Sequence, residues 1–220
     1  MKKYILIVVF LCYLFSAASA QTNPIILTGL NGTPITETKY TNIEGDPYLY
    51  NSWKFGDVKF KDGSIFKNIQ LKYNLISDEL VFKGEDGQEM LFLQPVAEFT
   101  LFPSGESFIN GFKGSKNFTE KTYLQQLNYG KTIVYKRTIK NIVERREYNS
   151  ATSTQTFVQN VLYFYSTKDI ALALFKKEKK SLLVLLADKQ KEVEAYISSN
   201  NLNVKDDKDL AAILTFYSTL

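Results

Sequence analysis

The sequence predicts an α+β chain: a mostly antiparallel β-sheet of about eight to ten strands, open or curled into a barrel, then two or three short helices. Three observations predict it. From Gly45 to Phe112, short apolar runs are cut by turn residues at intervals of about ten residues. Two later runs, 131–148 and 157–165, are rich in Ile, Val, Tyr and Thr, side chains that fit a pleated surface. Near the end the apolar period lengthens, with Leu210, Ile213, Leu214 and Tyr217 on one helical face.

The first twenty residues read as an export leader. Lys2 and Lys3 give it a basic start, and residues 4–15 are almost unbroken apolar sequence. A membrane-spanning helix needs about twenty such residues, so this run is short for an anchor. Ala18 and Ala20 supply the small residues of a cleavage site, with the cut expected between Ala20 and Gln21. Lipidation at Cys12 is the rival reading, but Leu11 before it is bulky and the apolar run continues past it. After cleavage no transmembrane anchor is expected. Residues 21–44 are a polar, extended lead-in, with Ile25-Ile26-Leu27 a candidate edge strand. Residues 45–220 form one domain, β-rich over 45–176 and helical over 177–220.

Within the domain, residues 54–60 alternate, and Lys61-Asp62-Gly63 turns the chain into a return strand over 64–75. Ser77-Asp78 turns into Leu80-Val81-Phe82, and Glu85-Asp86-Gly87 into Met90-Leu91-Phe92-Leu93. Residues 96–102 continue, and Pro103-Ser104-Gly105 turns into 107–112. Residues 123–127 suit a strand or a helical turn. The 149–156 stretch reads as a loop, and Ser166-Thr167-Lys168-Asp169 turns into 170–175. A leucine-rich helix is expected over 181–187. Asp188 is the expected N-cap of a second helix and Asp206 of a third, because a carboxylate there can accept free backbone N–H groups.

Composition excludes several chemistries. The chain has no histidine, and its one cysteine lies in the leader. The mature chain therefore has no Ser-His-Asp triad, imidazole base, disulfide or thiolate metal site. Its net charge falls from +4 to +2 with the leader, which gives no reason to expect nucleic acid. No cofactor and no metal site are expected.

Several motifs fail on geometry. Ser64-Ile65-Phe66-Lys67 matches S-x-x-K, but on a strand positions three apart face opposite sides. The segment Gly111-Phe112-Lys113-Gly114-Ser115-Lys116 lacks the spacing of a phosphate loop. The acidic clusters at 85–89 and 206–209 lack the alternating ligands of a calcium loop.

Two groups are candidate binding residues. The run 131–147 carries net charge +4 and all three arginines. Lys136, Arg137, Lys140, Arg145 and Arg146 could form a docking strip for an acidic glycan, lipid head group or protein. The plain alternative is a solvated strand whose charges protect an edge. Tyr48, Tyr50 and Trp53 could form a ligand platform, with core packing as their alternative.

Further residues carry a resemblance. Gly45-Asp46-Pro47-Tyr48-Leu49 is followed by Trp53, Gly56, Val58, Asp62-Gly63, Leu71-Lys72-Tyr73-Asn74-Leu75 and Asp78-Glu79-Leu80. The tail holds Lys179-Lys180-Ser181-Leu182-Leu183, Asp188-Lys189, Glu192-Val193 and Tyr196-Ile197. Together these resemble a set of secreted or periplasmic β-rich proteins of Gram-negative bacteria, with a "YN…DEL" segment and a lysine-rich helical end. The resemblance implies a fold and an exported location, but no activity, cofactor or catalytic residue.

The expectation is an exported, non-enzymatic protein, periplasmic, cell-surface or secreted, that binds an envelope protein or a glycan or lipid ligand. Two other readings stay open. Paired carboxylates could hydrolyse a glycan, and a curled sheet with an apolar cavity could carry an apolar ligand.

Overall fold

The computed structural model describes residues 30–35, 40–146 and 153–220. The leader, the Ala20–Gln21 junction and the candidate edge strand at 25–27 lie outside the described residues. Twelve strands form one open sheet: β1 (Gly32–Pro34), β2 (Ile43–Glu44), β3 (Lys54–Phe60), β4 (Ile65–Asn74), β5 (Glu79–Lys83), β6 (Glu89–Phe92), β7 (Val96–Leu101), β8 (Glu106–Ile109), β9 (Leu124–Gln126), β10 (Ile133–Arg146), β11 (Ser153–Ser166) and β12 (Ala173–Phe175). Their order is β1-β6-β5-β4-β3-β7-β8-β9-β10-β11-β12, and the pairings along it are antiparallel; β2 lies off this path, parallel to β11. Three helices follow: α1 (Lys179–Leu185), α2 (Gln190–Ser199) and α3 (Asp207–Thr219). No helix among the described residues is long and apolar enough to cross a membrane.

The expected α+β architecture is the one observed. β1 and β2 are the strands the pattern does not reveal; they are two or three residues of polar lead-in paired to strand edges. Residues 123–127 contain a strand, β9. β11 begins at Ser153, inside the expected 149–156 loop, because it pairs with Arg146 across a continuous fourteen-residue register.

The turns are built by side chains that accept backbone N–H groups. Asp62 Oδ1 takes the Ser64 N–H at 2.9 Å and its hydroxyl at 2.6 Å, while Gly63 adopts φ +89°. Asn74 Oδ1 takes the N–H groups of Ile76 and Ser77 and shapes the turn from β4 to β5.

The β6–β7 connection forces the sheet to curl. In a flat sheet four strand spacings would separate β6 from β7, about 19 Å. The four residue steps from Phe92 to Val96 reach at most about 14 Å. Curling brings β6 back toward β3, where the Phe60 and Phe92 rings meet at 5.7 Å. The concave side is filled by Val58, Ile69, Leu71, Tyr73, Phe99, Phe108 and Tyr123, all buried.

The second half of the sheet is covered on both faces. One face of β10 and β11 packs Val134, Tyr163 and Tyr165 against Leu182, Leu186, Val193, Leu210, Ile213 and Leu214 of the helical layer. The other face packs Tyr135 and Phe164 against Phe112 and Phe118 of the β8–β9 connection.

Asp206 caps α3, accepting from the N–H groups of Lys208 and Asp209. Asp188 does not cap α2. A 3₁₀ turn at Ala187–Lys189 moves the helix start to Gln190, and Lys189 stands at the cap without a side-chain bond. The Asp188 carboxylate instead accepts the Tyr217 hydroxyl at 3.0 and 3.2 Å, tying α3 to that turn.

Gly56 sits where β3 meets β7. A Cβ there would lie 2.3 Å from the Thr100 carbonyl oxygen and 2.7 Å from Leu71 Cδ1. Gly56→Ala is expected to cost about 2–3 kcal/mol in urea unfolding, as overpacking does. Gly63→Ala meets no atom within 4 Å and strains only the turn, so its cost is about 1 kcal/mol.

Candidate functional site

The curled half of the sheet is clasped at Asp78, in the β4–β5 turn. Asp78 has φ +56°, a conformation aspartate tolerates better than most residues. Its Oδ1 accepts the Tyr73 hydroxyl at 2.8 Å. Its Oδ2 accepts the Thr122 hydroxyl at 2.8 Å and Arg137 Nη2 at 3.5 Å. The Asp78 and Arg137 side chains are 20% and 14% exposed, so solvent screens the pair poorly. The Arg137 Nε is buried without a partner. Burial and the neighbouring Asp78 push the Tyr73 hydroxyl well above its ordinary pKa, so it stays a donor.

Lys140 fastens the lead-in. Its ammonium donates to the carbonyl oxygens of Asp46 at 2.9 Å and Tyr48 at 2.6 Å, and reaches Asp46 Oδ1 at 3.5 Å. Lys136 turns to the helical layer. It meets Asp207 Oδ2 at 2.7 Å, while Lys177 and the Tyr163 hydroxyl bind Asp207 Oδ1. Burial alone would raise the Asp207 pKa, but the hydrogen bonds from Lys136 and Lys177 outweigh it and hold the carboxyl below its usual range.

The aromatic group is similarly engaged. Lys72 Nζ lies 4.6 Å from the Tyr48 ring centre and 4.9 Å from that of Trp53, and pairs with Glu89 at 3.2 Å. The Tyr48 hydroxyl donates to Glu89 Oε2. The Tyr50 hydroxyl donates to Glu106 at 2.7 Å, and burial together with that carboxylate pushes its pKa up to about 12.

The structure therefore does not bring the candidate residues into one surface. Lys136, Arg137 and Lys140 point to three different internal partners. Tyr48 and Trp53 flank Lys72, while Tyr50 bonds Glu106 and lies beneath Lys54, whose Nζ is 5.0 Å from its ring centre. Arg145 and Arg146 lie apart from both groups, on the exposed distal part of the β10–β11 hairpin. The sequence reading missed Asp78 and Asp207, the acids around which the cations gather. Strand alternation was the available signal, since neighbours such as Lys136 and Arg137 must face opposite sides.

The same hairpin carries an open edge. The Val134 carbonyl accepts the Leu127 N–H at 2.9 Å, so the even-numbered residues of β10 turn their backbone groups toward β9. Pairing with β9 ends at Lys136. Beyond it, Thr138, Lys140, Ile142 and Glu144 have no backbone partner on that edge among the described residues. Residues 141–146 are all exposed, Ile142 at 41% and Val143 at 37%.

Two clefts of similar size open on the described part of the chain. One, of ≈ 430 Å³, lies at the seam of the curl, between Leu80, Phe92, Pro95, Asn110 and Tyr123. Both oxygens of its Asp78 are already bonded. The other, of ≈ 450 Å³, lies between residues 112–118 and 171–174. No group of three or more Cys, Asp or Glu side chains able to hold a metal occurs among the described residues. Comparison with protein-family models, curated proteins and solved structures returns no match.

Asp78→Ala leaves Arg137 buried without its anion and is expected to cost about 3 kcal/mol in urea unfolding. Adding Arg137→Met should recover part of that loss, so the double variant should be more stable than Asp78→Ala alone. The Asp207 cluster predicts a pH dependence. Its lowered pKa makes the stabilisation full above about pH 4, the ordinary carboxylate value, and lost as pH falls through the native one. Acid titration of stability should show this loss in the natural chain, and Asp207→Asn should remove that component.

Proposed function

We propose that the protein is an exported, non-enzymatic binding protein that engages an envelope polypeptide through the distal β10–β11 hairpin. The observation that carries this reading is the edge of β10 beyond Lys136, unpaired among the described residues and exposed from Asn141 onward. An extended segment can add to such an edge through main-chain hydrogen bonds, with side chains setting specificity. Ile142 and Val143 offer apolar contact, and Arg145 and Arg146 favour a strand carrying acidic residues. The base of the hairpin is held by Arg137 and Lys140, so the edge is presented on a fixed support.

The other readings have less support. No lining residue of the 112–118 cleft is acidic, and of the two acids that line the seam cleft, Asp78 and Glu79, the first has both oxygens bonded in the clasp, which leaves a carboxylate-based hydrolase a single carboxylate there. Side chains fill the concave side of the sheet, so an inner cavity does not support a carrier.

The test is crosslinking capture of tagged protein from intact producing cells. The Ile142 N–H faces the open edge, so Ile142→Pro removes a donor that the fold does not use. Ile142→Pro and Arg145→Glu should each lose the partner captured by the natural chain while keeping its urea midpoint. Val143→Pro should weaken the hairpin itself, because that N–H faces β11. Captured mature chain should begin at Gln21. Capture that survives both edge variants would contradict the proposal.

A further inference from the structure

A second surface carries chemistry that the hairpin reading does not use. Residues 115–118 fold back on themselves, the Ser115 N–H donating to the Phe118 carbonyl at 2.8 Å. This loop faces the approach to β12, and the ≈ 450 Å³ cleft lies between them. That volume falls within the range of about 300–1,000 Å³ typical of small-molecule sites. The floor is apolar, made by Phe112, Phe118, Phe164, Leu172 and Leu174. Phe118 and Phe164 are buried and meet edge to face at 5.3 Å, which fixes the deep part of the floor. Leu174 is 62% exposed, so part of the floor stands open to water.

The rim is cationic. Lys113 and Lys116 line it, both are exposed, and neither makes an ion pair among the described residues. None of the lining residues is acidic. An apolar floor gains by removing a hydrocarbon chain from water. Two lysines with no carboxylate among the lining residues favour a negative head and disfavour a cationic one.

We propose that this cleft binds a single-chain amphiphile with an anionic head, of which a long-chain carboxylate is the simplest case. The chain lies over Phe118 and Leu174, and the head reaches Lys113 and Lys116. The loop that lacks phosphate-loop spacing is, on this account, a lysine-bearing wall for a carboxylate. The site lies apart from the β10 edge, so either proposal can fail alone.

The probe is dodecanoate below its micelle concentration, titrated calorimetrically into the purified chain. Saturable binding at one site is expected. Lys113→Glu/Lys116→Glu should weaken it by about tenfold or more, as should Leu174→Glu. All three positions are exposed, so both variants should keep the natural urea midpoint, measured alongside. Dodecanol, with the same chain and a neutral head, should bind about tenfold more weakly. Absence of saturable dodecanoate binding, equal affinity in folded variants, or equal affinity for dodecanol would overturn the proposal.

Discussion

The Asp78 carboxylate gathers three parts of the chain that are distant in sequence. It accepts Tyr73 from the end of β4, Thr122 from just before β9, and Arg137 from β10. The short β6–β7 connection forces the sheet to bend, but bending does not close it. No ladder joins the two sides of the seam, so side chains hold it there. The same anion neutralises the guanidinium at the base of the long hairpin. The shape of the curled half and the direction of the hairpin thus depend on one partly buried charge.

This arrangement explains why a basic chain offers so little organised positive surface. Lys72 is held between two aromatic rings and Glu89. Lys136 and Lys177 share Asp207 and dock the helical layer. Lys140 holds the lead-in by its carbonyl oxygens. These are structural uses of charge, in sites dry enough for hydrogen bonds to matter. The hairpin beyond Lys140 and the rim of the 112–118 cleft differ from them: both are exposed, and both set cations beside apolar surface. That contrast is why recognition is proposed at these two surfaces rather than along the whole basic run.

The strand pattern was legible wherever turn chemistry was explicit. Asp62-Gly63, Asp86-Gly87 and Ser104-Gly105 bounded strands whose observed limits lie close to those read from alternation. Asp206 was legible as a cap because its side chain bonds its own helix. Asp188 was not, because a 3₁₀ turn displaced the helix start and a tyrosine distant in sequence claimed the carboxylate. The candidate site was legible only as composition. A run of cations showed where charge lay, while strand alternation turned Arg137 away from Lys136 and Lys140, and position along β10 sent those two to different partners. The partners of Lys136, Arg137 and Lys140 lie 71, 59 and 94 positions away in sequence, and local pattern does not encode such contacts.

The most direct measurement is the distance across the seam in solution. Spin labels at two exposed positions, Ser77 beside the clasp and Lys121 next to Thr122, would report it by dipolar coupling. A single short distance in the natural chain, lengthening and broadening in Asp78→Ala under conditions where the helices remain folded, is the result this account predicts. A distance unchanged by Asp78→Ala would show that the curl stands without the clasp and would contradict the account.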